Sequence, residues 1–147
     1  MPETIPIGAD HAGFVLKERF IAELERLGFQ PLDLGTDSAE STDYPAYAHA
    51  VARKVQDGKA RRGILMCGTG LGMSYAANRH RGVRAAVVWN ADVARLSREH
   101  NDSNVLVVPS RCVSEEEAMR ILHAWLDGRF EGGRHARRVA GIEAEGP

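Results

Sequence analysis

The segment Gly63–Met73, with the sequence GILMCGTGLGM, joins a run of large apolar residues to a glycine-rich turn. A short apolar run without polar alternation is typical of a strand that is covered on both faces of a parallel sheet. Pro6 lies in an earlier run, and we expect that strand to be only partly paired because proline donates no ladder hydrogen bond. With the run at 63–67, the chain is predicted to have five strands, the others at 5–8, 31–34, 83–89 and 104–109.

Helical patterns fill the intervals between these runs. Leu16, Phe20, Leu24 and Leu27 form an apolar stripe at helical spacing, and Gly28 follows where a left-handed residue would end the helix. Alternation of strands with helices predicts a parallel sheet with helices on both faces, joined by right-handed crossovers. The further helices are predicted over three ranges: 44–56, 90–99 and 114–126.

The composition is that of one globular domain: the chain has 147 residues, 44% of them hydrophobic and 27% charged. We expect a single domain over 1–147, whose C-terminal basic segment 131–147 packs on the core or on a partner subunit. The net charge of −1 argues against a nucleic-acid or membrane-surface binder. No apolar run has membrane-spanning length and the first residues lack a signal-peptide pattern, so we expect a cytoplasmic protein. Two cysteines are too few for a disulfide scaffold and suit a reducing compartment.

Cys67 stands at the end of the third strand and is followed by three glycines in alternation, Gly68, Gly70 and Gly72. Glycines let the backbone turn several N–H groups toward one point, and the helix that follows adds its positive dipole end, so the segment is suited to hold an anion. It is neither a Walker loop nor a dinucleotide fingerprint, since its glycines are evenly spaced and no Gly-Lys-Ser/Thr follows. Such surroundings favour the nucleophilic thiolate form of a cysteine. A buried, inert thiol is the alternative interpretation, and Cys112, which has no glycine-rich neighbour, is interpreted as structural.

Other polar residues follow the predicted strands, at the sheet edge where open parallel sheets bind ligands. They include Asp10, His11 and Arg111. His100 and Asn101 lie at a helix end, where polar residues usually serve as caps. A role in proton transfer requires that His100 reach the glycine-rich segment. The six histidines show no spacing typical of a metal site, so neither a metal nor a cofactor is predicted.

Arg134 and Arg138 are four residues apart in the C-terminal segment. A helix that begins near Gly133 would place both guanidinium groups on one face. Such a pair suits a phosphate monoester, which guanidinium groups bind through bidentate hydrogen bonds. A solvated basic tail is the alternative interpretation.

Six motifs occur in a fixed order along the chain: GADHAGF (8–14), TDYP (42–45), CGTGLG (67–72), AAN (76–78), SREHND (97–102) and EGGRH (131–135). Together they resemble the ribose-5-phosphate isomerase B family, which includes the subunits of galactose-6-phosphate isomerase. The resemblance implies a Rossmann-like three-layer α/β/α sandwich with a five-stranded parallel sheet. It also implies a homodimer or dimer of dimers with active sites shared between chains. The implied reaction interconverts an aldose phosphate and a ketose phosphate through an enediolate, without metal or cofactor.

The same resemblance implies a role for each candidate residue. Cys67 matches the base that removes a proton from the carbon beside the carbonyl, since Met73 stands where another branch of the family has a glutamate. His100 matches the group that opens the sugar ring, with Asp10 nearby to orient the substrate. The enediolate oxygens would be held by the Thr69 hydroxyl and the backbone amides of Gly68, Gly70, Leu71 and Gly72. The phosphate contacts match His11, Arg111, Arg134 and Arg138, and a sugar-hydroxyl contact matches Asn101.

Alternatives stay open for the substrate and for the class of protein. Ribose 5-phosphate is the expected substrate, but allose 6-phosphate, galactose 6-phosphate or a tetrose phosphate would use the same mechanism. Trp89 and Asn90 are candidates for shaping the site around the far end of the substrate. A non-catalytic phosphate-binding module would keep the glycine-rich segment without turnover. A thiol-based redox protein would use Cys67 and Cys112.

Overall fold

The computed structural model describes residues 1–147 and contains one five-stranded sheet and six helices. The strands are β1 (Thr4–Ala9), β2 (Gln30–Asp33), β3 (Gly63–Cys67), β4 (Ala85–Val87) and β5 (Val105–Pro109). The helices are α1 (Phe14–Arg26), α2 (Pro45–Gln56), α3 (Leu71–Ala77), α4 (Ala91–Glu99), α5 (Glu115–Asp127) and α6 (Arg134–Glu145). The strand order is β2-β1-β3-β5-β4, and every neighbouring pair is parallel. The predicted α/β fold is confirmed.

Helices cover both faces of the sheet, which makes three layers. α1, α4 and α5 pack on one face, and α2 and α3 pack on the other. Side chains of β3 alternate between the layers, so that Ile64 and Met66 face the first and Leu65 and Cys67 face the second. Every residue of β3 and β5 is buried, which explains why both strands are continuous apolar runs in the sequence.

Most elements lie where the sequence predicts them. β3 has the predicted bounds, and Gly28 adopts a left-handed conformation (φ +90°) just after α1. β1 pairs with β2 from Thr4 onward but with β3 only from Ile7, so the strand is partly paired at Pro6, as expected. α6 begins directly after Gly133, also as expected.

β4 is shorter than predicted: it spans Ala85–Val87, whereas the sequence predicts a strand over 83–89. The backbone N–H of Arg84 donates to the side chain of Asn104 (2.7 Å), and the Arg84 carbonyl accepts from the backbone N–H of the same asparagine (3.0 Å). A side chain thus takes the place of a ladder partner, and the strand begins only after it.

The order of the strands reverses at β1, which has β2 on one side and β3 on the other. The helices that follow the two central strands therefore cover opposite faces, α1 after β1 and α3 after β3. Open α/β sheets bind ligands outside the carboxyl ends of the strands at such a switch point. The fold places the loop after β1 beside the glycine-rich turn after β3.

The last helix lies at the opposite, amino end of the sheet. Glu143 of α6 accepts a hydrogen bond from the backbone N–H of Gly82 (3.1 Å) and forms an ion pair with Arg84 (2.8 Å), both of which precede β4. Val139 is among the buried residues of the helix, so α6 contributes an apolar contact as well. None of the six helices combines the length and the apolar composition that crossing a membrane requires.

Candidate active site

The loop after β1 presents two polar side chains with defined hydrogen bonds. Asp10 is buried, and one of its carboxylate oxygens accepts from the backbone N–H of Ala12 (3.0 Å). The backbone N–H of Thr42 donates to Nδ1 of His11 (3.1 Å). Because Nδ1 is the acceptor, Nε2 carries the hydrogen of the neutral ring and is free to donate to a ligand.

Cys67 ends β3 at the same edge of the sheet. The residue is 5% exposed, and its side chain packs on the layer formed by α2 and α3. Ser110, directly after β5, fixes this strand end: its N–H donates to the Cys67 carbonyl (2.9 Å), and its hydroxyl donates to the Ala12 carbonyl (2.9 Å). The thiol is therefore mostly buried, and it stands where the strand opens into the glycine-rich turn.

The glycine-rich turn leaves several backbone donors unused. Gly70 adopts a left-handed conformation (φ +78°) and starts α3. The Leu71 N–H donates to the hydroxyl oxygen of Thr69 (3.3 Å), which leaves the hydroxyl hydrogen free to donate elsewhere. Four backbone N–H groups of this turn meet no acceptor in the chain: those of Gly68, Thr69, Gly70 and Gly72. A cluster of free N–H donors at one strand end is suited to bind an anion.

Two side chains flank this turn. The Arg111 side chain lies against Gly68, where an added Cβ would be 3.2 Å from Arg111 Cδ, and its guanidinium group forms no ion pair. The Tyr44 ring lies over Gly72, where a Cβ would approach it to 2.4 Å. A free guanidinium group beside free amides adds a strong donor for a phosphate or carboxylate.

A second cluster surrounds His100, which caps the C-terminus of α4. Its ring stacks on that of His135 in α6, with centroids 4.3 Å apart and planes 9° from parallel. An oxygen of Glu131 lies 3.7 Å from Nε2 of His100 and 3.6 Å from Nε2 of His135. Burial and the neighbouring cationic groups of His100 and Arg134 lower the pKa of His135.

Asp102 holds the turn that follows His100. It is the only residue other than glycine with a positive φ (+49°). Its carboxylate pairs with Arg98 (3.1 Å) and Arg84 (3.4 Å), and its carbonyl accepts from the Arg84 side chain (2.8 Å). A left-handed aspartate held by two arginines fixes the position of His100 and Asn101 at the helix end.

The candidate residues thus fall into two groups at opposite ends of the sheet. Nine lie at the carboxyl end: Asp10, His11, Cys67, Gly68, Thr69, Gly70, Leu71, Gly72 and Arg111. Four lie at the amino end: His100, Asn101, Arg134 and Arg138. α4 separates the groups, because it starts beyond the carboxyl end of β4 and runs back over nine residues, about 13 Å, before His100. Within one chain, His100 does not reach the glycine-rich turn.

Trp89 and Asn90 also lie at the carboxyl end, directly before α4. The Asn90 side chain accepts from the N–H of Val93 (2.8 Å) and so caps the helix, which explains its presence without a ligand. The Trp89 side chain is 57% exposed and stays available for contacts outside the chain.

Sequence reasoning assigned no site role to four residues that organise these clusters: Ser110, Asp102, Glu131 and His135. One signal was present, since Glu131 and His135 are four residues apart, the spacing of an i,i+4 pair. Asp102 and Arg98 have the same i,i+4 spacing, whereas the contacts of Asp102 with Arg84 and of Ser110 with Ala12 join residues that are distant in sequence.

A switch-point turn with free amides, a thiol and a free guanidinium group gives this α/β protein an edge that is suited to a small anionic ligand. The model of a protein family described as Ribose/Galactose Isomerase matches residues 5–142. The chain belongs to the ribose/galactose isomerase family and is an isomerase.

Two relatives illustrate the range of the family. The chain is 50% identical to ribose-5-phosphate isomerase B of Escherichia coli over 140 residues, which cover 95% of this chain and 94% of the relative. It is 39% identical to D-erythrulose-4-phosphate isomerase of Pectobacterium atrosepticum, with 95% of this chain and 92% of the relative covered.

Solved structures agree with the fold. Ribose-5-phosphate isomerase B of Clostridium thermocellum superposes with a TM-score of 0.94 at 47% identity, covering 96% of this chain and 95% of that one. The enzyme of Mycoplasma genitalium with bound ribulose-5-phosphate also gives a TM-score of 0.94, at 40% identity, covering 98% and 96% of the two chains.

The close packing of the glycine-rich turn can be tested with Gly70→Ala. A Cβ at this position meets a left-handed backbone and lies 3.1 Å from a Val87 methyl group and 3.3 Å from a Val107 methyl group. Gly58→Ala is the matched control, because Gly58 has a similar φ (+72°) and nothing within 4 Å. We expect Gly58→Ala to lower the free energy of unfolding by about 1–2 kcal/mol and Gly70→Ala by about 1–3 kcal/mol more, measured by urea denaturation. Equal losses would contradict the tight contact.

Proposed function

We propose that this isomerase interconverts ribose 5-phosphate and ribulose 5-phosphate through an enediolate. The observation that carries the proposal is the pairing of Cys67 with four free backbone N–H groups at the switch point of the sheet. It is supported by 50% identity to a relative named ribose-5-phosphate isomerase B and by 40% identity to an enzyme that binds ribulose-5-phosphate.

Isomerisation requires a base for carbon and a stabiliser for the oxygen that becomes negative. In the proposed reaction the Cys67 thiolate takes the proton from C2 of the open-chain aldose. The C–H electron pair forms the C1–C2 double bond, and the carbonyl pair moves onto O1 to give the enediolate. Return of the carbon proton from Cys67 to C1 and transfer of the O2 proton to O1 leave a carbonyl at C2 and form the ketose. The free N–H groups of the turn and the Thr69 hydroxyl donate to the enediolate oxygens.

Ring opening precedes this step, because the furanose form has no free carbonyl. We assign it to His100, whose imidazole gives a proton to the ring oxygen while the anomeric hydroxyl loses one. Asp10 supplies a carboxylate oxygen that its Ala12 contact leaves free to orient a sugar hydroxyl. Asn101, next to His100, supplies an amide for another.

The phosphate would be held by donors from both ends of the sheet. Nε2–H of His11 and the free guanidinium group of Arg111 face it from the carboxyl end. Arg134 and Arg138, one helical turn apart on α6, approach from the amino end. Binding energy from this remote group positions C1 and C2 against Cys67.

The separation of the two groups within a chain favours a site shared between two chains. In a homodimer with two-fold symmetry, the carboxyl end of one chain meets the amino end of the other, and the same contact occurs twice. Each dimer then has two complete sites, each with Cys67 from one chain and His100 from its partner. A dimer of dimers keeps the same pairing.

A tetrose phosphate is the second candidate substrate, because a relative at 39% identity is named D-erythrulose-4-phosphate isomerase. Allose 6-phosphate and galactose 6-phosphate are also tested as substrates, since the family description includes galactose. We expect kcat/KM for ribose 5-phosphate to exceed that for each other sugar by at least about tenfold, the usual discrimination for one carbon unit. Steady-state assays on the four sugar phosphates measure this ratio, and a higher value for erythrose 4-phosphate would favour the second candidate.

Cys67→Ala tests the carbon base. In D₂O the wild type should exchange the C2 proton of its substrate, seen by proton NMR, and the variant should exchange it at least about a hundredfold more slowly while still binding substrate. Cys112→Ala is the matched control, since that thiol is exposed and only weakly bonded to the Gly68 carbonyl (3.8 Å). A wild type without exchange would favour a non-catalytic phosphate-binding module. Loss of activity in Cys112→Ala would favour thiol redox chemistry.

Mixing two inactive variants tests the shared site. Cys67→Ala and His100→Asn homodimers each lack one group in both sites. Refolded together in equal amounts, they form mixed dimers in which one site keeps both native residues, so about a quarter of wild-type activity should return with random pairing in a two-fold dimer. Cys67→Ala mixed with the double variant is the control and should regain nothing. No recovery in the first mixture would show that each site is complete within one chain.

A further inference from the structure

Three side chains with metal-binding atoms converge at the amino end of the sheet. The nitrogen and oxygen donors of His100, Glu131 and His135 all lie within 4.8 Å of one another. The shortest separations join Glu131 Oε1 to the two Nε2 atoms, at 3.7 and 3.6 Å. They come from three places: the end of α4, the loop before α6, and the first turn of α6.

One nitrogen of His135 in this cluster lacks a hydrogen-bond partner. Its side chain is 9% exposed, and its Nε2 is buried without a hydrogen-bond partner. A buried polar atom without a partner destabilises the fold, so a ligand that satisfies it is favoured. The nitrogen lies 3.6 Å from a carboxylate oxygen of Glu131, just beyond hydrogen-bond distance.

Two imidazoles and a carboxylate form a donor set typical of zinc, with a fourth position left for water or another ligand. Tetrahedral Zn²⁺ with bonds of about 2.0–2.1 Å places its ligand atoms about 3.3 Å apart. The two Glu131–histidine separations therefore need to contract by a few tenths of an ångström, and the two histidine nitrogens, which lie within 4.8 Å of each other, need to approach by up to about 1.5 Å. The parallel rings also need to turn toward a common point. His100 has the freedom to do so, because it ends a helix and its side chain is 38% exposed.

We propose that His100, Glu131 and His135 form a site for Zn²⁺, and that bound Zn²⁺ inhibits the isomerase. Inhibition rests on the proposed function of His100: a zinc-bound imidazole nitrogen holds no proton to give to the sugar ring. The binding site itself stands independently of that function.

The charges around the cluster set the expected strength of binding. Glu131 supplies one negative charge, and Glu99 lies next to His100, with its carbonyl accepting from the Glu131 N–H (3.0 Å). Arg134 and Arg138 add positive charge from α6 and weaken cation binding. Burial lowers the pKa of His135, and metal binding requires the neutral imidazole that this shift favours. We therefore expect reversible binding rather than a permanently occupied structural site.

A titration with Zn²⁺ in competition with a chromogenic chelator tests the site. The Cys67→Ser/Cys112→Ser protein is the reference, because free thiols also bind zinc. We expect one Zn²⁺ per chain, and affinity lower by at least about tenfold after His135→Asn or Glu131→Gln, since loss of a ligand costs no less than loss of its outer partner. Far-UV circular dichroism checks that each variant folds.

Two other histidine sites serve as matched controls. His49 and His80 lie 2.7 Å apart through their ring nitrogens, and His123 pairs with Glu23 on α1. His49→Asn and His123→Asn should leave zinc affinity unchanged. Loss of binding in either control instead of in His135→Asn would overturn the proposed site. An independent check on the unaltered protein is NMR of the histidine ring protons, in which Zn²⁺ should shift two rings assigned to His100 and His135.

An activity assay distinguishes zinc binding from inhibition of the isomerase. Zn²⁺ should inhibit the wild type, a chelator should restore activity, and Glu131→Gln should resist inhibition. Zinc binding without inhibition would overturn the inhibitory role and the assignment of ring opening to His100, while the exchange assay on Cys67 would still test the carbon base. No zinc binding in the reference protein would overturn the site and leave the proposed reaction untouched.

Discussion

A parallel strand that is buried on both faces determines the layout of this protein. Such a strand has no room for polar side chains along its length, so the chain returns over one face through a helix and places its polar residues in the loops at the two ends. β3 shows the effect most clearly, since its five residues are all buried and the glycine-rich turn begins at the next position. Each end of the sheet consequently collects functional groups of its own. The reversal of strand order at β1 then decides which two loops lie side by side at the carboxyl end.

The two ends of the sheet present different kinds of hydrogen-bond donor. At the carboxyl end the donors are mainly backbone N–H groups, which are rigid, and Ser110 ties the loop after β1 to the end of β3. At the amino end the donors are guanidinium groups, and several are paired: Arg62 with Glu3 (2.8 Å), for example. Burial lowers the pKa of Arg98 there, and the adjacent carboxylate of Asp102 opposes that shift. The amino end thus combines an ionic network that fixes loops with two arginines outside that network, Arg134 and Arg138, whereas the carboxyl end keeps mainly backbone donors free for a ligand.

The sequence predicted the parts of this arrangement that depend on local pattern. The bounds of β3, the left-handed Gly28 and the start of α6 after Gly133 all follow from residue type and spacing, and all were confirmed. The predicted start of β4 was wrong, because it depends on the side chain of Asn104, twenty residues beyond Arg84. The sequence pattern also did not predict the position of His100 relative to Cys67. The residue types of His100 and Cys67 suggested proton transfer for each. Only the course of α4 shows that the two residues lie at opposite ends of the sheet within one chain.

This division has a consequence for how activity depends on assembly under the proposed function. A single chain has a carbon base and an anion-holding turn at one end and a proton-carrying imidazole at the other, and neither end completes a reaction cycle on the cyclic sugar. Association of two chains then creates the active site as well as an interface, so activity and dimer concentration fall together on dilution. The open-chain sugar needs no ring opening, and the carboxyl end alone contains the groups assigned to its isomerisation. The dependence on the partner is therefore greatest for the cyclic substrate and for the phosphate contacts that Arg134 and Arg138 supply.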